Sequence, residues 1–410
     1  MFDDNVLRVA LVGGPMYDPL YQRIPQFESE TGTRVDVAVR LNHPALNVRM
    51  AADYAAGRDP GYDLISTHTK YAPSQQEFLR PLDDLLNAEL DPFSPAMLEH
   101  ARIDGRLYGI PRNIDVKLLY YRTDLFDDAG NKEAYQNRYG QELRIPQTWD
   151  ELWDTAVFFT RPPAMYGFVF PGSFSGLFGH FFELDAMAGG NLFGEGPSLN
   201  FQEEPARWAL GFLTNLYQKG IVPHDVANWH YDEVTQFFVD GRAAMTTDWP
   251  GGYHLFKNPA TSKVADRFGV ALYPVGPSGK RFVYSGGHTF AIPRSVRNLE
   301  RALSLLRFLT SGDSQYLEAT LGALPARSEI QARIQAQTPP GSLDSHRLDL
   351  LRITVENHML IPPKFPEYPA VEDALWTSVR AAIVGEMDID TALQQAAHQT
   401  WEIMGNAYDR

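Results

Sequence analysis

Apolar and polar positions alternate between two periods over the first seventy residues. Residues 7–12 form a short apolar run that ends in Gly13-Gly14-Pro15, which predicts a buried strand and a turn where backbone approaches a ligand closely. From residue 17 to 31, Leu20, Ile24 and Phe27 share one helical face, with Gly32 just past the end. Residues 34–40 alternate as a strand, 47–56 have helical spacing closed by Gly57, and 63–66 read as a third strand leading into Thr67-His68-Thr69-Lys70. Strand–helix alternation of this kind predicts an open parallel sheet, and ligands of such sheets lie beyond the carboxyl ends of the strands. The loops 13–17, 41–44 and 67–70 are therefore the first places to look for a site.

The pattern changes after residue 100. The stretch DGRLYGIPRNIDVKLLYYRTDLFDDAG joins an Asp-Gly turn, an extended segment at 110–115, an apolar strand and a helical start. It holds no nucleophile, metal cluster or phosphate loop. A chain that crosses between two lobes through extended backbone can close them on a ligand, which points to capture rather than chemistry. Residues 145–260 are rich in Trp, Phe, Tyr and Gly and include a helix with Thr148 as its N-cap. Residues 282–292 read as a buried strand interrupted by Gly286-Gly287, 299–310 as a helix, and 338–345 as a surface loop. The last hundred residues are mostly helical, ending with 389–404.

Length and charge narrow the class. At 410 residues two domains are expected, and 44% apolar with 21% charged residues describes a folded, well-packed chain. With 36 basic against 51 acidic residues and no run of Lys or Arg, nucleic acid is not an expected partner. The absence of cysteine excludes disulfides, thiolate catalysis and thiolate metal sites. No window is long and apolar enough to span a membrane, and no signal peptide is read at the start of the chain.

Enzyme signatures fail when tested. In Gly172-Ser173-Phe174-Ser175-Gly176 the third position is Phe174, not the Ser of a nucleophile elbow. Gly279-Lys280 lacks the rest of a phosphate loop, and neither HExxH nor a calcium-loop pattern occurs, so no cofactor or metal is expected. Trp149 and Trp153, four apart on a helix, read as core. Trp249 lies between Asp248 and Pro250-Gly251-Gly252, in a turn where a large ring is hard to bury and where it suits the apolar face of a sugar. His43, His68 and His288 fall at strand ends or beside the diglycine, as neutral hydrogen-bond partners. Lys70 and Arg112 can clamp a carboxylate, sulfonate or phosphate, donate to hydroxyls, or stay in solvent. Asp115 precedes an apolar strand, where an acid needs a partner or hydroxyls to accept.

At these residues the chain resembles the family 1 extracellular solute-binding proteins of ABC transporters, the maltose-binding-like group. The segments FESETGTRVDV, DLISTHTKYAPSQQEFLRPLDDLL, DGRLYGIPRNIDVKLLYYRTDLFDDAG, PQTWDELW, FVDGRAAMTTDW, GGHTFAIPRSVRNLERALSLLRFLTS and GEMDIDTALQQA carry the resemblance, in order, over nearly the whole chain. It implies a bilobal α/β type II periplasmic-binding-protein fold. The expected N-terminal lobe is 1–110 plus about 288–328, and the C-terminal lobe about 115–284 plus about 329–410. Hinges are expected near 110–115, 285–288 and 325–330, with a ligand cleft between the lobes. Asp115 falls where the maltose-binding group has a carboxylate for sugar hydroxyls, and Trp249 and Trp376 where it has sugar-stacking aromatics. At 67–70 the chain departs: Thr67 and Lys70 replace an aromatic and an acid, which tilts the expected ligand from maltose toward an anionic or modified sugar. The candidate ligand contacts are Tyr17, His43, His68, Lys70, Arg112, Asp115, Ser173, Phe174, Asp248, Trp249, Gly287, His288, Tyr368 and Trp376.

The resemblance further implies a monomer that delivers a carbohydrate or sugar acid to an ABC permease. With no Cys for a lipid anchor, the expected location is periplasmic. Neutral oligosaccharide, polyol, uronate and sulfo-sugar all stay open. A hydrolase on a two-lobed scaffold and a solute sensor using the same closure are the competing readings.

Overall fold

The computed structural model describes residues 5–14, 17–55, 60–194 and 199–408; the side chains of 87–88 and 406–408 also lie outside that description. Pro15 of the first turn and Gly57, expected to close the second helix, fall outside the described residues. The chain divides into two compact units. The first comprises Met1–Asp115, Ser285–Pro339 and Pro362–Pro369, and the second Val116–Tyr284, Pro340–Ile361 and Ala370–Arg410.

The first unit is built on a five-stranded sheet in the order Arg34–Leu41, Val6–Val12, Leu64–His68, His288–Ala291, Ile110–Pro111. The first three strands are parallel, as the alternation predicted. His288–Ala291 runs antiparallel to Leu64–His68 and to Ile110–Pro111, so the sheet is mixed. The helix Asp18–Thr31 buries Leu20, Ile24 and Phe27, and Gly32 closes it in the left-handed conformation at φ 67°, which glycine adopts at no steric cost. Two boundaries move. The second helix is His43–Ala55, so His43 begins a helix rather than lying in a loop, and the third strand extends through Thr67 and His68. Asp104-Gly105 makes the expected tight turn, both residues at positive φ, between the paired strands Arg102–Ile103 and Arg106–Leu107. The extended segment beyond it breaks into short pairings: Asn113–Ile114 with Leu324–Pro325, and Asp115 with Gly286.

The second unit has a four-stranded sheet in the order Phe268–Ala271, Leu118–Arg122, Ala243–Asp248, Tyr166–Val169. The helix Trp149–Phe159 starts where predicted. Thr148 Oγ1 accepts from Glu151 N at 3.1 Å, and the Glu151 carboxylate accepts from Gln147 N at 2.7 Å. Trp149 is core, as expected, packed edge-on to Phe168, His180, Phe212 and Tyr273. The expected loop 338–345 is shorter than read, because a helix capped by Ser342 begins at Leu343.

Candidate functional site

In the first unit the antiparallel register places His288 opposite His68, and the two rings meet edge to face with centroids 5.1 Å apart. His43, from the head of its helix, packs on both, at 4.7 Å from His68 and 4.8 Å from His288. The double glycine explains how the rings fit. A Cβ on Gly286 would lie 2.5 Å from His68 Cε1, and one on Gly287 would lie 2.5 Å from the Asn113 carbonyl oxygen.

Around these rings stand Tyr17, Asn113 and Asp115. Tyr17 Oη and His288 Nε2 are hydrogen-bonded at 2.9 Å. Asn113 Nδ2 donates to Asp115 Oδ1 at 2.6 Å, and Asp115 Oδ2 lies 3.5 Å from His288 Nε2. His68 Nδ1 accepts from the Lys70 backbone N–H at 3.2 Å, which leaves the ring proton on Nε2. Burial, with the charges of Arg112 and Lys70 adding to it, lowers His288 to about 3, and burial holds His68 well below its ordinary value. Both imidazoles are therefore neutral at physiological pH. Burial lifts Asp115 to about 7, opposed by Arg112 and by the Asn113 hydrogen bond. His288 Nδ1 and Thr69 Oγ1 are buried and, among the described residues, have no hydrogen-bond partner.

Neither cation of this region stays in solvent, contrary to one of the roles considered for them. Lys70 is buried with its ammonium 4.6 Å from the centre of the Tyr71 ring. Arg112 is equally buried and forms an ion pair with Glu318 at 2.8 Å, while its guanidinium covers the Tyr17 ring. That pairing removes Arg112 as an argument for an acidic ligand. Tyr368 is fully buried against Phe365, and Gly287 is buried too.

The candidates of the second unit separate into two groups. Phe174 and Trp376 form a ring pair with centroids 4.8 Å apart, and Phe174 is 48% exposed. Phe174 begins the helix Phe174–Met187 at φ 50°, a left-handed conformation that costs an aromatic residue about 1–3 kcal/mol. Ser173, before it, is buried and donates to the Trp229 carbonyl at 2.9 Å. Trp249 and Asp248 belong to the other group. The Trp249 ring meets Tyr231 edge-on at 5.2 Å and lies under the Lys117 ammonium at 5.1 Å, so the turn does bury much of it. Asp248 accepts from Thr235 Oγ1 at 2.5 Å and from Trp249 N at 2.7 Å, and burial still raises it to about 7.

Reasoning from sequence passed over the Lys117 network. Lys117 Nζ donates to Glu183 at 3.0 Å, His180 Nδ1 lies 2.6 Å from Glu183 Oε1, and the Tyr284 backbone N–H donates to Glu183 Oε2 at 3.0 Å. Lys117 and Glu183 are both fully buried. Burial alone would raise Glu183, but Lys117, His180 and the Tyr284 backbone N–H bring it below its ordinary value. The signal was present: a lone Lys in DVKLLYY, and His and Glu three apart on an apolar helix, each need a buried partner.

Comparison with known proteins agrees with this architecture. Residues 22–342 match the family described as bacterial extracellular solute-binding protein. The mannitol-binding protein of Pseudomonas aeruginosa is 26% identical over 409 residues, covering 91% of this chain and 87% of that protein. The structure of maltose-bound T. maritima MalE3 superimposes with a TM-score of 0.83 at 24% identity, covering 96% of this chain and 98% of that one. A solute-binding protein of an ABC transporter from Agrobacterium radiobacter, in complex with ribitol, gives 0.85 at 23% identity, covering 98% and 99%. Among the described residues no helix is long and apolar enough to cross a membrane and no cluster suited to a metal ion occurs. With the family pattern spanning most of its length and the fold in agreement, this chain belongs to the bacterial extracellular solute-binding proteins.

Proposed function

We propose that this protein captures a neutral, hydroxyl-rich solute, a sugar or sugar alcohol, and delivers it from the periplasm to the permease of an ABC importer. The observation that carries the solute class is the wall of uncharged hydrogen-bonding groups in the first unit. His68 and His288 are kept neutral, and His288 Nδ1 and Thr69 Oγ1 are buried with no protein partner among the described residues. Buried polar atoms without partners are costly, and hydroxyls of a ligand satisfy them. Asp115, lifted to about 7, serves such hydroxyls as acceptor or, when protonated, as donor. The ring pair of exposed Phe174 and half-buried Trp376, in the second unit, supplies an apolar surface suited to the C–H face of a sugar or the carbon chain of a polyol.

The ion pair of Arg112 with Glu318 takes one of the two cations of this region away from an acidic ligand, and the other, Lys70, lies over the Tyr71 ring, so the solute class rests on the uncharged groups. Mannitol, ribitol and maltose, named with the relatives and neighbours above, are all neutral and hydroxyl-rich. Capture works as a monomer, through the hinge closure that the resemblance implies. The ligand shifts that equilibrium only by its preference for the closed state, and no turnover is expected.

The test is a thermal-shift screen of sugars, sugar alcohols and uronates, with recovery of the ligand afterwards. At 100 times its dissociation constant a ligand stabilises by about 2.7 kcal/mol. A neutral sugar or polyol recovered unchanged is the expected result. Stabilisation by uronates alone, or consumption of the ligand, would overturn the reading.

A further inference from the structure

A second pocket, lined wholly by residues of the second unit, opens on the surface between the helices Trp149–Phe159 and Glu204–Gln218. Its volume is about 350 Å³ and its walls are Asp150, Trp153, Trp208, Phe212, Asn215 and Lys219, with Gly211 at its floor. None of these residues belongs to the site described above. The aromatic rings form a continuous corner. Trp208 lies nearly parallel to Phe212 at 5.7 Å, and Trp153 meets the same Phe212 edge-on at 6.0 Å. Phe212 is buried, whereas both indoles are only half-buried, so each keeps surface open to solvent.

The polar groups on this corner are only partly committed. Among the described residues Asp150 and Lys219 form no ion pair and no side-chain hydrogen bond; the Lys219 ammonium sits 5.1 Å over the Trp153 ring. Asn215 donates its Nδ2 to the Gly211 carbonyl at 2.8 Å, which leaves Oδ1 to accept from a ligand. A pocket of similar size in the first unit is different. Its Arg307 and Glu89 are tied to each other at 2.8 Å, and Arg327 is paired with Glu329.

We propose that the Trp153–Trp208 corner is a second, weak binding site for a neutral pyranose, independent of the principal ligand. The indole surface that the half-buried Trp208 and Trp153 keep open, beyond what Phe212 and Lys219 cover, matches the apolar C–H face of a sugar ring, while Asp150, Asn215 and Lys219 accept from and donate to its hydroxyl edge. Charge selects against other ring ligands. Lys219 already occupies a cation position over Trp153 and repels a second cation, Asp150 opposes an anion, and the two together balance. The volume holds one or two sugar rings and leaves part of any ligand in water, so the dissociation constant is expected at about 1–10 mM.

The test uses the full chain labelled with 5-fluorotryptophan, whose seven resonances are followed by ¹⁹F NMR. Trp153→Phe and Trp208→Phe assign the two signals of the corner. Methyl β-D-glucopyranoside is the probe, and D-mannitol, which has no ring face, the control. Saturable shifts of both signals with the glucoside and not with mannitol are expected, weakened at least about tenfold by Trp208→Ala or Asp150→Asn. Unmoved Trp153 and Trp208 signals up to about 50 mM glucoside, or equal shifts with mannitol, would overturn the proposal. The signal of Trp376, of the Phe174–Trp376 pair, reports the principal site separately, so failure of one site is distinguishable from failure of the other. The signal of buried Trp149 reports whether each variant is folded.

Discussion

The two units bury polar groups for opposite ends. In the first, His68 and His288 are held neutral near Asp115, and His288 Nδ1 and Thr69 Oγ1 have no protein partner among the described residues. In the second, Lys117, His180 and Glu183 are buried deeper. The two charges, Lys117 and Glu183, answer each other and His180 Nδ1 meets Glu183, while His180 Nε2, like the leftover atoms of the first unit, has no partner among the described residues. Burial alone therefore does not mark a ligand site. A buried charge paired within its own protein holds the fold together, whereas several uncharged polar atoms left over side by side can be completed by the hydroxyls of a solute.

The comparison breaks most readily at Lys117. Lys117→Met leaves Glu183 buried with only His180 and a backbone N–H, and should cost about 3–5 kcal/mol by urea unfolding, with little effect on affinity in whatever protein stays folded. His288→Gln should do the reverse: stability changes by no more than about 1.5 kcal/mol, while ligand affinity in titration calorimetry falls about tenfold. If His288→Gln unfolds the protein at unchanged affinity, the contrast between the units is wrong.

Phe174→Gly sharpens it further. Glycine relieves the φ 50° conformation, so stability should stay within about 1 kcal/mol of the parent, yet the lost ring should weaken sugar binding by about 1–2 kcal/mol. A large stability loss with affinity intact would make Phe174 a packing residue.

The smallest effect is in pH dependence. Asp248 titrates at about 7 in the folded chain against 3.8 as its ordinary value. The folded state thus holds a proton that the unfolded state releases, a contribution fully present below 3.8 and lost as pH rises through 7. Asp248→Asn should flatten the decline in melting temperature between pH 5 and 8. Asp115 acts in the same sense. His68 and His288 act oppositely: their contribution is full above 6.5 and declines as pH falls, for His288 down to about 3. A steeper decline in the Asn variant would mean that Asp248 is ionised in the folded protein.

Much of the scaffold was legible in one dimension, because local rules govern it. The face of Leu20, Ile24 and Phe27, the Gly32 cap, the Thr148 cap and the Asp104-Gly105 turn depend on neighbours within a few residues, and all appear as expected. Element ends were less legible. His43 heads a helix, and His68 ends a strand that the register with His288–Ala291 extends; such pairing over more than two hundred residues leaves no local trace. The environment of charged groups was the least legible. Arg112 finds Glu318 across 206 residues, so its role as an anion clamp could not be weighed from the residues around it.

The sequence by itself determined the class of fold, the solute-binding family and the stretches that carry polar and aromatic candidates, since hydrophobic period, turn residues and ordered motifs are written locally. Only the tertiary structure decided which candidates hold charge, which are satisfied internally and which keep a hydrogen bond in reserve. Those properties follow from burial and long-range pairing: His288 is neutral because it is buried beside Arg112 and Lys70, and Arg112 is compensated because Glu318 folds against it.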